Sequence, residues 1–353
     1  MVIVDGMNDE HLAEDYLPIL QRIKRVGAYG IADNQQPQRG VDTLNCVGAL
    51  LGLDVSDLPV GRAYLEAVAE NIALKEDDCV YRASLLKTEN GLLQTVNGLN
   101  LSTMQYRQAW QSLKEHLPSQ YQLYPLREGR GILIDQKGRL QKTFPPHQHL
   151  AENMSTLLPK DIFLQKLIFS SSCCLEFLQE NKGQWYLWLW DGAQQQKMPA
   201  FQTLHGFQGA IVAKTPVIVG LAKTMQMALA ELKKATGETD TDLLEKKQQT
   251  IALAARYDLV ICHVNGADEA AHRFDCIEKK QFLERVAEEL LLPLVSSEKT
   301  VLIVGDHSTF CACGTHGQAK QPFYLANSML KGNLGQVKGQ EVIKLLQRGI
   351  RHG

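Results

Sequence analysis

Three short apolar runs, each followed by acidic or histidine side chains, constrain the fold of this chain more than any other feature. They are Val2–Val4 before Asp5, Leu259–Val264 before Asp268, and Val301–Val304 before Asp306 and His307. Continuous apolar runs without polar alternation are typical of strands that are buried on both faces, as in a parallel sheet. The pattern therefore predicts three buried parallel strands with polar residues at their carboxyl ends.

Helical patterns lie between these runs. Apolar residues recur at helical spacing over 243–257 and over 274–292, and Pro293 is expected to end the second helix. Strands that alternate with helices favour a doubly wound α/β fold with a mostly parallel sheet.

The segment from 77 to 149 has a different pattern, with shorter apolar stretches that are broken by turn signals such as Asn97-Gly98, and with Pro145-Pro146 near its end. We expect a small inserted α+β cap domain at 77–149. The α/β core is then formed by 1–76 and 150–353, a division that suits a chain of 353 residues.

Composition excludes several classes of function. A formal charge of −2, from 37 basic and 39 acidic residues, argues against a nucleic-acid partner. No apolar run approaches the ~20 residues of a membrane span, and no export signal is recognisable at the amino terminus. Eight cysteines, including adjacent Cys173 and Cys174, are too few for a disulfide scaffold. We expect a cytoplasmic protein, and the sequence leaves its oligomeric state open.

Ligands bind open α/β sheets beyond the carboxyl ends of the strands, so the polar strand ends are expected to meet at one edge. The side chains expected there are Asp5, Asp268, His272, Asp306, His307 and His316. Asp268 and His272 are four residues apart and share one face of a helix. Mixed carboxylate and imidazole ligands suit Zn²⁺, Mn²⁺ or Fe, and six ligands suffice for two metals.

Other interpretations of these residues stay open at this point. Asp5 is also an ordinary turn or helix-cap residue, and an Asp and a His four residues apart occur on many solvated helices. Cys311 and Cys313, with His307 and His316, are an alternative structural zinc site, although the spacing of the two cysteines is tight for one.

The motifs 5–7, 266–275 and 305–309 resemble the alkaline phosphatase superfamily. The segments 61–67 and 204–210 are most similar to archaeal-type, cofactor-independent phosphoglycerate mutases. The resemblance runs from Val2 to about Leu325 and is weakest between 86 and 199. It implies one divalent metal on Asp268, His272 and His316, and a second on Asp5, Asp306, His307 and the nucleophile. Mn²⁺ or Zn²⁺ is expected, and Mg²⁺ is an alternative.

The nucleophile segment departs from the family pattern of a serine followed by an aspartate. Alignment on Asp42 places Val41 at the nucleophile position, whereas alignment on Leu51-Gly52 places Thr43 there. We favour Thr43, because attack on phosphorus requires a hydroxyl. The alternative is that Thr43 only caps a helix and the protein binds metal without catalysis.

The resemblance implies interconversion of 3-phosphoglycerate and 2-phosphoglycerate through a phosphothreonine, so that the partner is a small phosphorylated metabolite. Arg62, Arg82, Arg130 and His147 are the candidate substrate-binding residues. A phosphatase or phosphotransferase acting on another ester is the main alternative. The tryptophan-rich segment 185–190 is expected to be a packed strand rather than a binding surface.

Overall fold

The computed structural model describes residues 1–9, 16–95, 97–98, 101–127, 129–178 and 183–350, except for the side chain of His147. The chain divides into two compact units. Unit 1 is Met1–Leu58 with Lys197–Gly353, and unit 2 is Pro59–Gln196.

The strands of the described residues, in chain order, are β1 (Val2–Val4), β2 (Ala28–Asp33), β3 (Cys79–Glu89), β4 (Leu92–Thr95), β5 (Tyr121–Pro125), β6 (Arg130–Asp135), β7 (Gly183–Ala193), β8 (Gly209–Val212), β9 (Ala228–Leu229), β10 (Leu259–Val264), β11 (Val301–Val304), β12 (Thr309–Phe310), β13 (Thr315–His316), β14 (Lys320–Ala326) and β15 (Gly332–Lys338).

The α-helices of the same residues are α1 (Pro18–Val26), α2 (Thr43–Leu50), α3 (Ala63–Ala69), α4 (Thr103–His116), α5 (Ile162–Cys174), α6 (Phe201–His205), α7 (Pro216–Thr224), α8 (Leu243–Leu253), α9 (Gly266–His272), α10 (Cys276–Arg285), α11 (Leu292–Val295) and α12 (Val342–Gly349). Within the described part of the chain, none of the helices combines the length and the apolar character needed to cross a bilayer.

Unit 1 is built on an eight-stranded sheet with the order β15-β2-β14-β11-β1-β10-β8-β9. Strands β11, β1, β10, β8 and β9 are parallel neighbours, and β14 runs antiparallel to both β11 and β2. Every residue of β1, β10 and β11 is buried, as their unbroken apolar runs predict. The predicted α/β fold with a largely parallel sheet is confirmed.

The helical segment before β11 differs in one detail from the sequence-based expectation. Pro293 does not end the helix but lies in the first turn of α11, directly after a wider π-helical turn over Val286–Leu291. Proline has no N–H to donate, so the regular hydrogen-bond pattern is interrupted at this position, directly after the wider turn.

Unit 2 contains an antiparallel sheet in which β3 is central. It pairs with β4 and β6, and β7 pairs along its whole length, from Glu89 opposite Gly183 to Val80 opposite Ala193. This pairing explains why unit 2 is wider than the segment 77–149 expected from sequence. Strand β7 belongs to the same sheet although it lies far along the chain, and turn signals alone do not reveal such a pairing. The cap role of this region stays a prediction.

Candidate metal centre

The carboxyl ends of β11, β1 and β10 bring the predicted acidic residues together in unit 1. Asp5 directly follows β1, Asp306 lies just beyond β11, and Asp268 lies in α9, which begins after β10. Gly6 makes this approach possible. It has a φ of +66°, and a Cβ there would lie 2.8 Å from the Asp268 backbone.

The first group of side chains contains Asp5, Asp306, His307 and Thr43. His307 Nε2 lies 3.3 Å from Asp306 Oδ2 and 3.6 Å from Asp5 Oδ1. The Thr43 hydroxyl lies 3.4 Å from Asp5 Oδ2 and 3.4 Å from His307 Nε2. Asp5, Asp306 and His307 are all fully buried. Their ligand atoms lie within 4.8 Å of one another, as a shared cation requires.

The second group contains the predicted residues Asp268, His272 and His316. The metal-capable set that the structure gives here combines Asp268 and His316 with His307, which also belongs to the first group. His272 Nε2 lies 3.3 Å from Asp268 Oδ2, and His316 Nε2 lies 3.7 Å from Asp268 Oδ1. His272 Nδ1 donates to the Gly314 carbonyl at 2.7 Å, and His316 Nδ1 donates to the Val41 carbonyl at 2.9 Å. These bonds leave each Nε2 lone pair directed away from the backbone, which is the arrangement of a metal-ligating histidine.

The carboxylates of Asp5 and Asp306 are buried with little positive charge nearby, whereas that of Asp268 is compensated by His272. Burial and the neighbouring Asp306 and Asp268 carboxylates raise the pKa of Asp5 well above its ordinary value, and burial also raises the pKa of Asp306. Burial acts to raise the pKa of Asp268 too, but the hydrogen bond and charge of His272 hold it below its usual range. A cation would relieve the repulsion.

The histidines His272 and His316 require a shared proton or cation. Burial alone would lower the pKa of His272, but its hydrogen bond to Asp268 and the charge of that carboxylate raise it to about 9. Burial and the nearby His307 lower the pKa of His316 to about 3. Their Nε2 atoms are 3.1 Å apart, and each Nδ1 already donates to a carbonyl. Two neutral rings would oppose lone pairs here, so a proton or a cation must lie between them.

The donor set therefore fits divalent cations. Asp5 Oδ1 and both carboxylate oxygens of Asp306 are buried without a hydrogen-bond partner among the described residues. Buried anionic oxygens of this kind are rarely left unpaired in a folded protein. The cysteine-based zinc site finds no such support, because the metal-capable groups found among the described residues contain no cysteine.

Thr43 and Val41 occupy different positions at the start of α2. Asp42 is the N-cap residue and accepts a 2.8 Å bond from Asn45 N, so Thr43 is not the helix cap. Thr43 is instead the first helical residue, and its hydroxyl is directed at Asp5 and His307. Val41 contributes its carbonyl to His316.

Several residues around the centre were not predicted from sequence. Thr309 Oγ1 donates to Asp268 Oδ1 at 2.6 Å, and Asn34 Nδ2 donates to the Asp306 carbonyl at 2.7 Å. His263, inside β10, is fully buried with Nε2 3.4 Å from Asp5 Oδ2, and burial lowers its pKa to about 3. A polar residue inside an apolar strand run was the only sequence signal for His263.

Lys279 of α10 is a further unpredicted residue. It is 1% exposed, and its Nζ donates to the Thr309 carbonyl at 2.6 Å and to Asp9 Oδ2 at 3.1 Å. Asp9 Oδ2 also accepts from Cys311 N at 2.9 Å. Lys279 thus connects the loop that follows Asp5 with the loop that follows His307.

The predicted arginines lie in unit 2. Arg62 and Arg82 share the carboxylate of Glu66, at 3.4 Å and 3.0 Å. Burial and the charge of Arg62 lower the pKa of Arg82, and the charge of Arg130 acts in the same direction. The side chain of His147 lies outside the described part of the structure. The predicted packed strand at 185–190 is confirmed as part of β7.

Comparison with known proteins supports the resemblance. The sequence model of a family described as 2,3-bisphosphoglycerate-independent phosphoglycerate mutase matches residues 25–180. Such a mutase from Methanothrix thermoacetophila is 26% identical over 94% of this chain and 92% of its own length. One from Methanosarcina barkeri is 27% identical over 87% of this chain and 85% of its own length. Over most of its length, this chain is similar to archaeal cofactor-independent phosphoglycerate mutases.

Solved structures support the shared fold. The PH0037 protein from Pyrococcus horikoshii superimposes with a TM-score of 0.75 at 18% identity, covering 100% of this chain and 98% of its own. A cofactor-independent phosphoglycerate mutase from Thermoplasma acidophilum superimposes with a TM-score of 0.59 at 14% identity, covering 98% of both chains. At these identities the two superpositions show only that this chain has the same fold as those two proteins.

Proposed function

We propose that this protein is a metal-dependent phosphoglycerate mutase, which interconverts 3-phosphoglycerate and 2-phosphoglycerate through a phosphothreonine on Thr43. One observation carries the proposal: the Thr43 hydroxyl lies 3.4 Å from Asp5 and from His307, within a buried group of carboxylates that lacks counter-charge. The names of the archaeal relatives support the choice of substrate.

Two sets of residues would hold two divalent cations. Asp268, His272 and His316 form one set, and Asp5, Asp306, His307 and Thr43 form the other. When bound, such cations lower the pKa of a hydroxyl and neutralise charge on a transferring phosphoryl group.

The chain's own part in the reaction centres on Thr43. Its Oγ forms a bond to the substrate phosphorus while the bond from phosphorus to the C3 oxygen of the glycerate breaks. Overall, the hydroxyl proton of Thr43 ends on that departing oxygen. The C2 hydroxyl of the same glycerate then attacks the phosphothreonine, the bond from phosphorus to Thr43 Oγ breaks, and the proton of the C2 hydroxyl ends on that Oγ. Arg62, Arg82 and Arg130, and His147 from the family pattern, are proposed to hold the anionic groups of the substrate.

The test is conversion of 3-phosphoglycerate by purified, Mn²⁺-loaded protein without added bisphosphoglycerate, followed with an enolase-coupled assay. We expect turnover, and a loss of roughly 10³-fold or more in Thr43→Ala, because the covalent intermediate cannot form. Thr43→Ser keeps a hydroxyl and should retain much of the rate. A phosphopeptide containing Thr43 should be trapped by rapid acid quenching. Wild-type rates in Thr43→Ala would contradict the assignment.

A second pair of variants separates the two alignments of the nucleophile segment. If Val41 marks the catalytic position, Val41→Ser in a Thr43→Ala background should restore activity. We expect no such rescue, because the side chain that lies beside Asp5 and His307 is that of Thr43. Release of inorganic phosphate from other esters, without mutase activity, would instead support the phosphatase alternative. Metal binding with no turnover of any ester would indicate a non-catalytic homologue.

A further inference from the structure

The guanidinium of Arg82 in unit 2 is held on two sides. Its Cζ lies 3.9 Å from the ring centroid of Trp190, within the range of a cation–π contact. Its Nε lies 3.0 Å from Glu66 Oε2. The side chain of Arg82 is only 13% exposed. The stacking fixes the plane of the guanidinium, and the Glu66 contact fixes its rotation within that plane.

Trp190 is itself fixed in place. Its ring is 5% exposed, and its Nε1 donates to Ser84 Oγ at 3.0 Å. Ser84 Oγ in turn donates to Asn97 Oδ1 at 2.9 Å. The ring under Arg82 is therefore a rigid support, since both packing and a chain of hydrogen bonds limit its movement.

One terminal nitrogen of the Arg82 guanidinium lacks a partner. The Nη1 atom is buried and makes no hydrogen bond to any described residue. Leaving a buried N–H group of a charged side chain unpaired is costly, and a purely structural ion-pair network would satisfy it. Burial and the charge of Arg62 lower the pKa of Arg82 to about 10, so the group remains cationic at neutral pH.

The surrounding charges also suit an anion. Arg62 is bound by Asp191 at 3.1 Å and by Glu66 at 3.4 Å, and its Cζ lies 6.0 Å from the Trp190 ring. Arg130 lies opposite Ser84 in the β3–β6 pairing and is exposed. Three arginines thus lie near two carboxylates, which leaves an excess positive charge.

We propose that Trp190 and Glu66 are positioning residues, which orient Arg82 so that its unpaired Nη1 group binds a carboxylate or phosphate oxygen of a small anionic substrate. The identity of that substrate as a phosphoglycerate rests on the proposed function. A planar guanidinium that is held on two sides directs its remaining N–H group at a fixed point, which the flexible ammonium group of a lysine cannot do.

The experiment measures binding of 3-phosphoglycerate to the Mn²⁺-loaded protein by calorimetry, and measures KM and kcat separately. Trp190→Leu should weaken binding by about tenfold and raise KM in parallel, with a small effect on kcat, because the stacking contact is lost. Trp190→Phe keeps an aromatic face and should restore most of the affinity. Arg82→Lys should bind 3-phosphoglycerate as weakly as Trp190→Leu, because lysine lacks the planar guanidinium that Trp190 and Glu66 orient.

Trp188→Leu is the matched control. Trp188 lies two residues away on the same strand and is fully buried, but its Nε1 donates to the Phe144 carbonyl. This variant should lower the melting temperature (Tm) without changing the affinity. Equal losses of affinity in the two leucine variants, or wild-type affinity in Trp190→Leu, would overturn the proposal.

Two simpler probes identify the anionic group and separate this proposal from the mutase assignment. D-glycerate carries only the carboxylate, and glycerol 3-phosphate only the phosphate; the probe whose binding depends on Trp190 identifies the group. Binding that depends on Trp190 without turnover would refute the mutase but support the positioning role. If the folded protein binds none of the three anions through Arg82, the positioning role is refuted.

Discussion

This protein has two clusters of charged side chains, one in each unit, and they differ in how far neighbouring residues balance their charge. In unit 1, the buried carboxylates of Asp5 and Asp306 have oxygens without hydrogen-bond partners among the described residues. In unit 2, Arg62 and Arg82 are compensated by the carboxylates of Glu66 and Asp191. The first cluster contains buried anionic oxygens without partners, whereas in the second each of these two guanidinium groups contacts a carboxylate and the positive charge of Arg130 is in excess. The difference fits the two proposals made above, that the first cluster holds external cations and that the second orients Arg82.

The largest effect is expected when one carboxylate of the first cluster is removed. Asp306→Asn should weaken divalent-metal affinity by about 100-fold and remove mutase activity, because it deletes a buried anionic ligand. In EDTA the same variant should melt a few degrees above the wild type, since one of the repelling carboxylates is gone. Calorimetry measures the expected loss of metal affinity, and thermal melts in EDTA measure the expected rise in Tm. Asp33→Asn is the control, a strand-end aspartate 3.9 Å from Lys320. A lower Tm of Asp306→Asn in EDTA would contradict the account.

A smaller effect is expected at Lys279, which supports the first cluster without belonging to it. Lys279→Met should lower metal affinity by about tenfold, because the loops after Asp5 and His307 lose their common donor. Lys280→Met, at the exposed neighbouring position, should have no effect. Metal titrations of both variants measure the difference, and equal affinities would show that Lys279 does not position the ligands.

The second cluster should respond differently to loss of an acid. Glu66→Gln should destabilise the protein by about 1–3 kcal/mol, because it leaves Arg82 largely buried and less compensated. That cost should be the same with and without metal. Denaturant unfolding in Mn²⁺ and in EDTA tests this prediction, with the exposed Glu70→Gln as control. A loss seen only in Mn²⁺ would mean that the two clusters are not independent.

The smallest expected effect is a pH dependence in the metal-free protein. The pKa of His272 is raised to about 9, so the folded state holds a proton that the unfolded state releases near pH 6.5. This stabilisation is complete below pH 6.5 and disappears as the pH rises through 9. The Tm in EDTA should therefore fall by a few degrees between pH 7 and pH 9.

His272→Asn should reduce that slope, and Mn²⁺ should abolish it by replacing the proton. His116→Asn, an exposed histidine in α4, is the control and should leave the slope unchanged. A slope that persists in His272→Asn would assign the effect to another group.

Much of the first cluster could be predicted from sequence, because its ligands follow buried apolar runs. Parallel strands place their carboxyl ends at one edge, so Asp5, Asp268 and Asp306 could be brought together from pattern alone. The sequence favoured Thr43 over Val41 only because the reaction requires a hydroxyl, and the alignments did not separate them. The placement of the Thr43 side chain beside Asp5 and His307 depends on the geometry of α2.

Supporting residues were beyond sequence reasoning for physical reasons. Lys279 resembles any lysine on an amphipathic helix until the fold buries it against Asp9. Trp190 was predicted only as a packed strand residue, because stacking on Arg82 depends on the pairing of β7 with β3. That pairing joins distant parts of the chain, which also explains why the extent of unit 2 differs from the predicted 77–149.

The most direct test of the central claim is a count of bound metal. Protein loaded with Mn²⁺ or Zn²⁺ and dialysed should hold about two ions per chain by inductively coupled plasma mass spectrometry. Asp268→Asn and Asp306→Asn should each reduce the count to about one. A wild-type count near zero, or a full count in both variants, would show that the predicted carboxylate and histidine ligands do not hold the cations. Those ligands are Asp5, Asp268, His272, Asp306, His307 and His316.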